Sequence, residues 1–466
     1  MSATRRVSGR RLAVPAGAAA LLAPLNSTMI AVALPSIRDE FEVGVVAVSW
    51  LVTLYLVAVA IAQPVGGRLG DAIGSLSLLR IGLLGMAALS VVAALAPSFE
   101  WLVAARALQG IAAAVLIPSA TAYLRKSVSL DELPGVLGTN GAMISTGAAL
   151  GPVVGGLTLA VGGWQWLFYL NLPVIAVVWL LLMPMPRDEG RGASTFRLSP
   201  TSLAALIVSF SGLALLGSAL RSDNPWFPVL AAGLGFAGIA SYGALFRRTG
   251  GGVLDLNLFG KLAFARAGSM TALSNLVMYT TLVAMPVYLR DEHDVRTGIV
   301  GVLLFAMSAT NVLAAPAGGM VATRLGIRVG LVAGSLVLTV AAAGVLAVVA
   351  AGGTYLLAVP LALMGVGMGL GMAAQQSSGL GAWPASMAGS AAGTLSFMRY
   401  VGSVAGASLL AAVLGATPGL GAYEALLAIL LGIAVLNGLL AWIDAEEEAV
   451  EDLEAPAAGS LSSGGS

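Results

Sequence analysis

Cysteine is absent from this 466-residue chain. That excludes disulfides, zinc–thiolate sites and iron–sulfur ligation, and leaves the redox compartment undetermined. Histidine occurs once, at His293, so a histidine metal cluster is excluded and no metal site is expected. Charge is scarce: 10% of residues are charged and the formal net charge is +1, against about 25% charged in ordinary soluble domains. A broad basic footprint for nucleic acid is therefore missing. No nucleotide-binding motif is present, which excludes an ATP-driven pump unless a partner chain supplies the ATPase. What abounds is apolar. Hydrophobic residues make up 58% of the chain and the mean hydropathy is +0.94. No soluble fold of this length buries so much, and the reading is an all-α polytopic membrane protein.

A bilayer core of about 30 Å needs about 20 apolar residues per helix. Charge-poor stretches of that kind lie near 12–35, 44–66, 76–96, 101–123, 134–161, 166–185 and 201–220. Seven more lie near 226–246, 267–289, 298–321, 327–351, 355–378, 387–415 and 422–443. Long continuous runs contradict the alternating strands of a membrane barrel, and helices satisfy their own backbone polar groups. Fourteen spans are expected. The hairpin 201–246 turns at Arg221-Ser222-Asp223-Asn224-Pro225, and deleting it leaves every other loop on its side, so hydropathy alone separates twelve spans from fourteen.

Loop arginines and lysines fall almost wholly on one side, among them Arg5, Arg6, Arg68, Arg80, Arg125, Lys126, Arg187, Arg247, Arg248 and Arg324. Only Arg38, Arg221, Arg290 and Arg296 fall on the other, while Arg106 and Arg399 lie within spans. The positive-inside bias predicts both termini in the cytoplasm. The arginines before residue 12 resemble a signal peptide, but the apolar run reaches Pro35 with no convincing cleavage site, so an uncleaved first span is expected. Lys126 and Lys261 are the only lysines, a bias associated with GC-rich bacterial genomes. From Asp444 onward the chain is acidic, then Ala/Gly/Ser-rich, and reads as a disordered tail.

The loop after the second span is Gly66-Gly67-Arg68-Leu69-Gly70-Asp71-Ala72-Ile73-Gly74. Its glycines, Gly67 and Gly74 among them, permit a tight turn, and Asp71 suits the N-terminus of the next helix. A degenerate copy, Gly318-Gly319-Met320-Val321-Ala322-Thr323-Arg324-Leu325-Gly326, recurs in the second half, as an internal repeat predicts. Span four carries Arg106, Gln109 and Gly110. A mid-membrane arginine costs about 2.5–3.5 kcal/mol on insertion scales and is expected inside the bundle. Span five carries Gly147-Ala148-Ala149-Leu150-Gly151-Pro152-Val153-Val154-Gly155-Gly156. Glycines four apart share a helix face and allow close backbone contact, and Pro152 bends the helix there.

These three stretches resemble signature motifs of the major facilitator superfamily, the third its antiporter motif. Asn26-Ser27-Thr28-Met29-Ile30-Ala31-Val32-Ala33-Leu34-Pro35, Trp164-Gln165-Trp166-Leu167-Phe168-Tyr169-Leu170-Asn171-Leu172-Pro173 and Arg399-Tyr400-Val401-Gly402-Ser403-Val404-Ala405-Gly406 are similar to the fourteen-helix drug:proton antiporter branch, the EmrB/QacA-type multidrug exporters. The resemblance implies two six-helix bundles, 1–186 and 266–443, flanking a central cavity. Residues 187–265 would link them with two extra helices, and 444–466 would be tail. It also implies alternating access, proton coupling and the bacterial cytoplasmic membrane.

The departures from the family are specific. Basic residues usual near 72, 75 and 76 are Ala72, Ser75 and Leu76, which weakens a charge latch at Asp71 unless Arg68 or Arg80 substitutes. Asn26 stands where the family usually has a protonatable aspartate. Of the 22 acidic residues none lies at mid-span, Glu424 coming nearest.

The expected cavity residues are Asn26, Thr28, Met29, Trp50, Tyr55, Arg106, Gln109, Asn275, Tyr279, Asn311, Gln375, Gln376 and Arg399, with Met143, Met278 and Met372 nearby. Trp101, Trp164, Trp226, Trp383 and Trp442 are expected as interfacial anchors. The function expected is export of small amphipathic compounds. A proton-independent or importing facilitator of a neutral or anionic metabolite, or a non-transporting scaffold or sensor, are the alternatives. No catalytic residue, no cofactor beyond the proton motive force, and no partner beyond lipid and a small-molecule substrate is expected, and the chain reads as a monomer.

Overall fold

The computed structural model describes residues 9–43, 45–188, 190, 199–220, 224–249, 252–293, 295, 297–414 and 419–454. Arg5, Arg6, Arg221 and Arg296 of the topology argument lie outside them, as do the side chains of Arg290 and Pro152.

Among the described residues sixteen α-helices run in order. The first half holds α1 (Gly9–Glu40), α2 (Val45–Ile73), α3 (Ser75–Ala94), α4 (Phe99–Ala114), α5 (Leu116–Ser127), α6 (Leu133–Val161), α7 (Gln165–Tyr169) and α8 (Asn171–Leu182). A hairpin of α9 (Pro200–Ala219) and α10 (Trp226–Thr249) comes next. The second half holds α11 (Leu262–Asp291), α12 (Thr297–Leu325), α13 (Ile327–Ala350), α14 (Ala358–Gly381), α15 (Ala388–Leu414) and α16 (Leu420–Glu454). Helices α4 and α5 join as one membrane-length segment and α7 and α8 as another, giving fourteen spans when bent α6 counts as one. Both hairpin helices are long and apolar enough to cross, which decides for fourteen. Helix α16 runs on past Ile443, so Asp444–Glu454 are helical rather than the disordered tail expected; residues 455–466 lie outside the described residues.

Each half has its own core. Leu22, Leu79, Leu83 and Tyr123 are fully enclosed in the first; Tyr288, Leu361, Tyr423 and Leu430 are in the second. The packing repeats. Helix α6 lies along α1 as α15 lies along α11, and α4 packs on α2 as α14 packs on α12. Across the halves α6 meets α12 and α15 meets α2. The degenerate glycine loop repeats in detail: Gly74 has φ 96° and Gly326 φ 98°, a left-handed turn that favours glycine, each directly before a helix.

Candidate translocation site

A cavity of about 270 Å³ lies between the halves, lined from α1, α5, α6, α11, α12, α14 and α15. Its polar lining includes Asn275, Asn311, Gln375, Gln376 and Arg399, all anticipated, together with Ser145, Thr271, Ser308 and Tyr400, which were not. Met278, Met307, Met368 and Met372 form an apolar wall, deformable because methionine is unbranched. Most of the amides are partly occupied. Asn275 Nδ2 donates to Thr271 O at 2.8 Å, Gln375 Nε2 to Ser274 Oγ at 3.2 Å, and Ser145 Oγ to Asn311 Oδ1 across the halves at 2.7 Å.

The other expected cavity residues do not line it. Asn26, Arg106 and Gln109 are buried inside the first half. Arg106 Nη1 donates to Gln109 Oε1 at 2.8 Å and Asn26 Oδ1 at 3.3 Å, and Nε reaches Leu51 O at 3.4 Å. The guanidinium lies 4.2 Å from the Tyr55 ring centre, and Tyr55 OH donates to Ala23 O at 2.9 Å. Gln109 Nε2 then donates to Ser90 Oγ at 2.9 Å. Two donors stay unsatisfied, Arg106 Nη2 and Asn26 Nδ2, so the cluster is short of acceptors. Met29 is buried with the first-half core, Thr28 Oγ1 donates to Pro24 O at 2.9 Å, Tyr279 is outside the cavity lining, and Trp50 is exposed at the start of α2.

The antiporter-like stretch forms the α1–α6 seam. A Cβ at Gly147 would strike Leu21, and one at Gly151 would strike Thr28 Oγ1. One at Gly155 would sit 2.8 Å from Met29 O. Gly156 faces open space and is not part of the seam. At Pro152 the helix bends, 41° between Leu133–Gly151 and Val153–Val161, as loss of a backbone donor inside a helix predicts. Gly110 packs on α2, where a Cβ would lie 2.6 Å from Tyr55 O.

Asp71 corrects the expectation made for it. It does not cap α3, which starts after Gly74 with Ser75 N and Leu76 N donating to Asp188 at 2.7 and 2.8 Å. Asp71 instead caps α15 across the halves. Gly389 N, Ser390 N and Ser390 Oγ donate to its carboxylate at 2.8, 2.7 and 2.7 Å, where a helix N-terminus favours negative charge. Its cation is Lys126 Nζ, 3.6 Å away and 3.4 Å from Asp188, not Arg68 or Arg80; Arg80 is bonded to Leu182 O at 2.7 Å. A Cβ at Gly67 would strike Gly389 O, so α2 and α15 touch backbone to backbone. Arg125 adds bonds to Leu380 O at 3.2 Å and Trp383 O at 3.4 Å. The halves are thus latched together at the Asp71 face. Trp164, expected as an anchor, is buried and donates to Glu40 Oε2 at 2.7 Å.

Two helical repeats around a latched central cavity are the architecture of a membrane transporter. The sequence profile of the Major Facilitator Superfamily matches residues 16–273 and 267–463, and the chain belongs to that family. It is 30% identical over 386 residues to the uncharacterised MFS-type transporter YwoD of Bacillus subtilis, covering 82% of this chain and 85% of that one. It is 28% identical to the multidrug resistance protein Stp of Mycobacterium tuberculosis, covering 81% and 71%. The human organic anion transporter MFSD10 shares the fold, with a TM-score of 0.68 at 17% identity over 93% of this chain and all of that one.

Proposed function

We propose that the chain is a secondary active exporter of small amphipathic compounds, drugs or a native metabolite, working by alternating access in the bacterial cytoplasmic membrane. Both termini and the Asp71 face lie in the cytoplasm, the side favoured by the distribution of basic residues. Residues 1–186 and 266–443 rock as bundles, 187–265 tie them together, and the protein acts as a monomer in lipid with no cofactor beyond the proton gradient. The carrying observation is the Gly147–Gly151–Gly155 seam against α1 with its bend, beside a cavity latched at one face. Relatives named for multidrug, lincomycin and tetracenomycin C resistance support the same reading.

Among the described residues no acidic side chain lines the cavity, which favours weak proton coupling, or coupling through the substrate's own acid group, Asp71 or Glu424. Resistance profiling of a drug-sensitive host expressing the chain, across a chemically broad panel, tests the proposal. Raised resistance to at least one compound class, absent with Gly151→Leu at equal abundance, is expected. No change across the panel overturns it.

A further inference from the structure

We infer that the cavity takes amphipathic organic anions, with a carboxylate or similar acid group on Arg399 and the apolar part against the methionine wall. This deepens the proposed export function and rests on it only for the movement of substrate after binding.

Arg399 belongs to α15 and is well inside Ala388–Leu414. Arg399 lines the cavity, and among the described residues its side chain has no hydrogen bond or ion pair, only its backbone O accepting from Ser403. Such a charge at membrane depth is costly and needs a partner. Snorkelling would need a place near a helix end, and Arg399 has none. Arg106 is met in part, by hydrogen bonds to Gln109 and Asn26 and by the Tyr55 face. For Arg399 the described residues supply no hydrogen-bond acceptor and no counter-charge, so we assign the missing counter-charge to what enters the cavity.

The surroundings agree. None of the lining residues is acidic, so no wall group attracts a cation. Gln376 and Tyr400 line the same cavity as Arg399, and neither side chain is hydrogen-bonded to a described residue. Gln375 and Asn275, by contrast, each already give one amide proton to the protein. A guanidinium, a free amide and a free phenol on one cavity suit a carboxylate, which accepts several donors at once. The four methionines then meet the apolar part. About 270 Å³ is just below the usual range of ligand pockets, roughly 300–1,000 Å³, so a one- or two-ring acid fits better than a large drug. An ammonium in the same place meets like charge in a low dielectric.

Equilibrium binding to the full chain in lipid nanodiscs tests this, using tritiated 2-naphthoate, 2-naphthalenemethanol and 2-naphthylmethylammonium. These probes share a ring system and differ in charge. The wild type should bind naphthoate at least tenfold more tightly than the ammonium, with the alcohol between. Arg399→Gln should weaken naphthoate at least tenfold while changing the alcohol less than twofold, which also reports an intact cavity. Arg399→Lys should keep part of the preference. Ammonium binding equal to or tighter than naphthoate in the wild type, no naphthoate binding, or naphthoate binding untouched by Arg399→Gln overturns the inference. Binding needs no gradient, so a chain that binds naphthoate and never moves it overturns the export reading alone.

Discussion

Arg106 Nη1 lies 3.3 Å from Asn26 Oδ1, so a buried guanidinium meets an amide where a carboxylate would neutralise it. The amide brings its own donor, and Asn26 Nδ2 and Arg106 Nη2 are both left without acceptors. Unsatisfied buried donors cost about 1–3 kcal/mol each. The first half therefore holds a charge that its sequence does not balance.

Replacing Asn26 by aspartate should relieve that imbalance. Asn26→Asp removes one orphan donor and pairs Arg106, so the melting temperature in detergent should rise by several degrees at pH 8. The gain should shrink on acidification as the carboxylate protonates. A fall in melting temperature at pH 8 would show that the site is satisfied by other means.

Arg106 itself ties α4 to α1 and α2. Arg106→Ala should lower transport at least tenfold at equal membrane abundance, and Arg106→Lys should keep a fraction, because a point charge replaces the guanidinium whose Nη1 and Nε now reach Gln109, Asn26 and Leu51 O. Near-normal transport by the alanine variant would reduce Arg106 to a bystander.

The α1–α6 seam makes a paired prediction. Gly151→Leu drives a side chain into Thr28 and should abolish transport, whereas Gly156→Leu enters open space and should be tolerated. Efflux at equal abundance compares them directly, and equal loss in both would refute the seam.

Asp71 holds α15 through three donors. Loss of an N-cap costs about 0.5–2 kcal/mol, enough to shift a finely balanced opening. The chain has no cysteine, so Ala392→Cys on the buried face of α15 is a clean reporter. Maleimide labelling at Cys should rise several-fold when Asp71→Ala is added, and Lys126→Gln should have a smaller effect. Unchanged labelling would mean that Asp71 does not latch the halves.

Much of the fold is legible because its determinants are local. Spans are written in runs of apolar residues, the Gly326 turn repeats the spacing of Gly74, and the bend at Pro152 results from one missing N–H. Asp71 shows the limit: its partners Gly389 and Ser390 are distant in sequence, and only tertiary packing brings them to it. Lys126 replaces the expected arginines for the same reason. The cavity was half legible. Polar residues within spans face inward as a class, but helices apolar on every side carry little signal of their rotation. Arg399 and Gln376 therefore could not be told from Arg106 and Gln109 until the helices were oriented.

Transport in everted membrane vesicles tests the central claim most directly. With an acid-inside gradient imposed, vesicles bearing the wild type should accumulate a compound identified by resistance profiling. Accumulation should fall when the gradient is discharged and be absent with Gly151→Leu. Accumulation no greater than in vesicles lacking the protein, or net movement of the compound out of everted vesicles, would contradict the account.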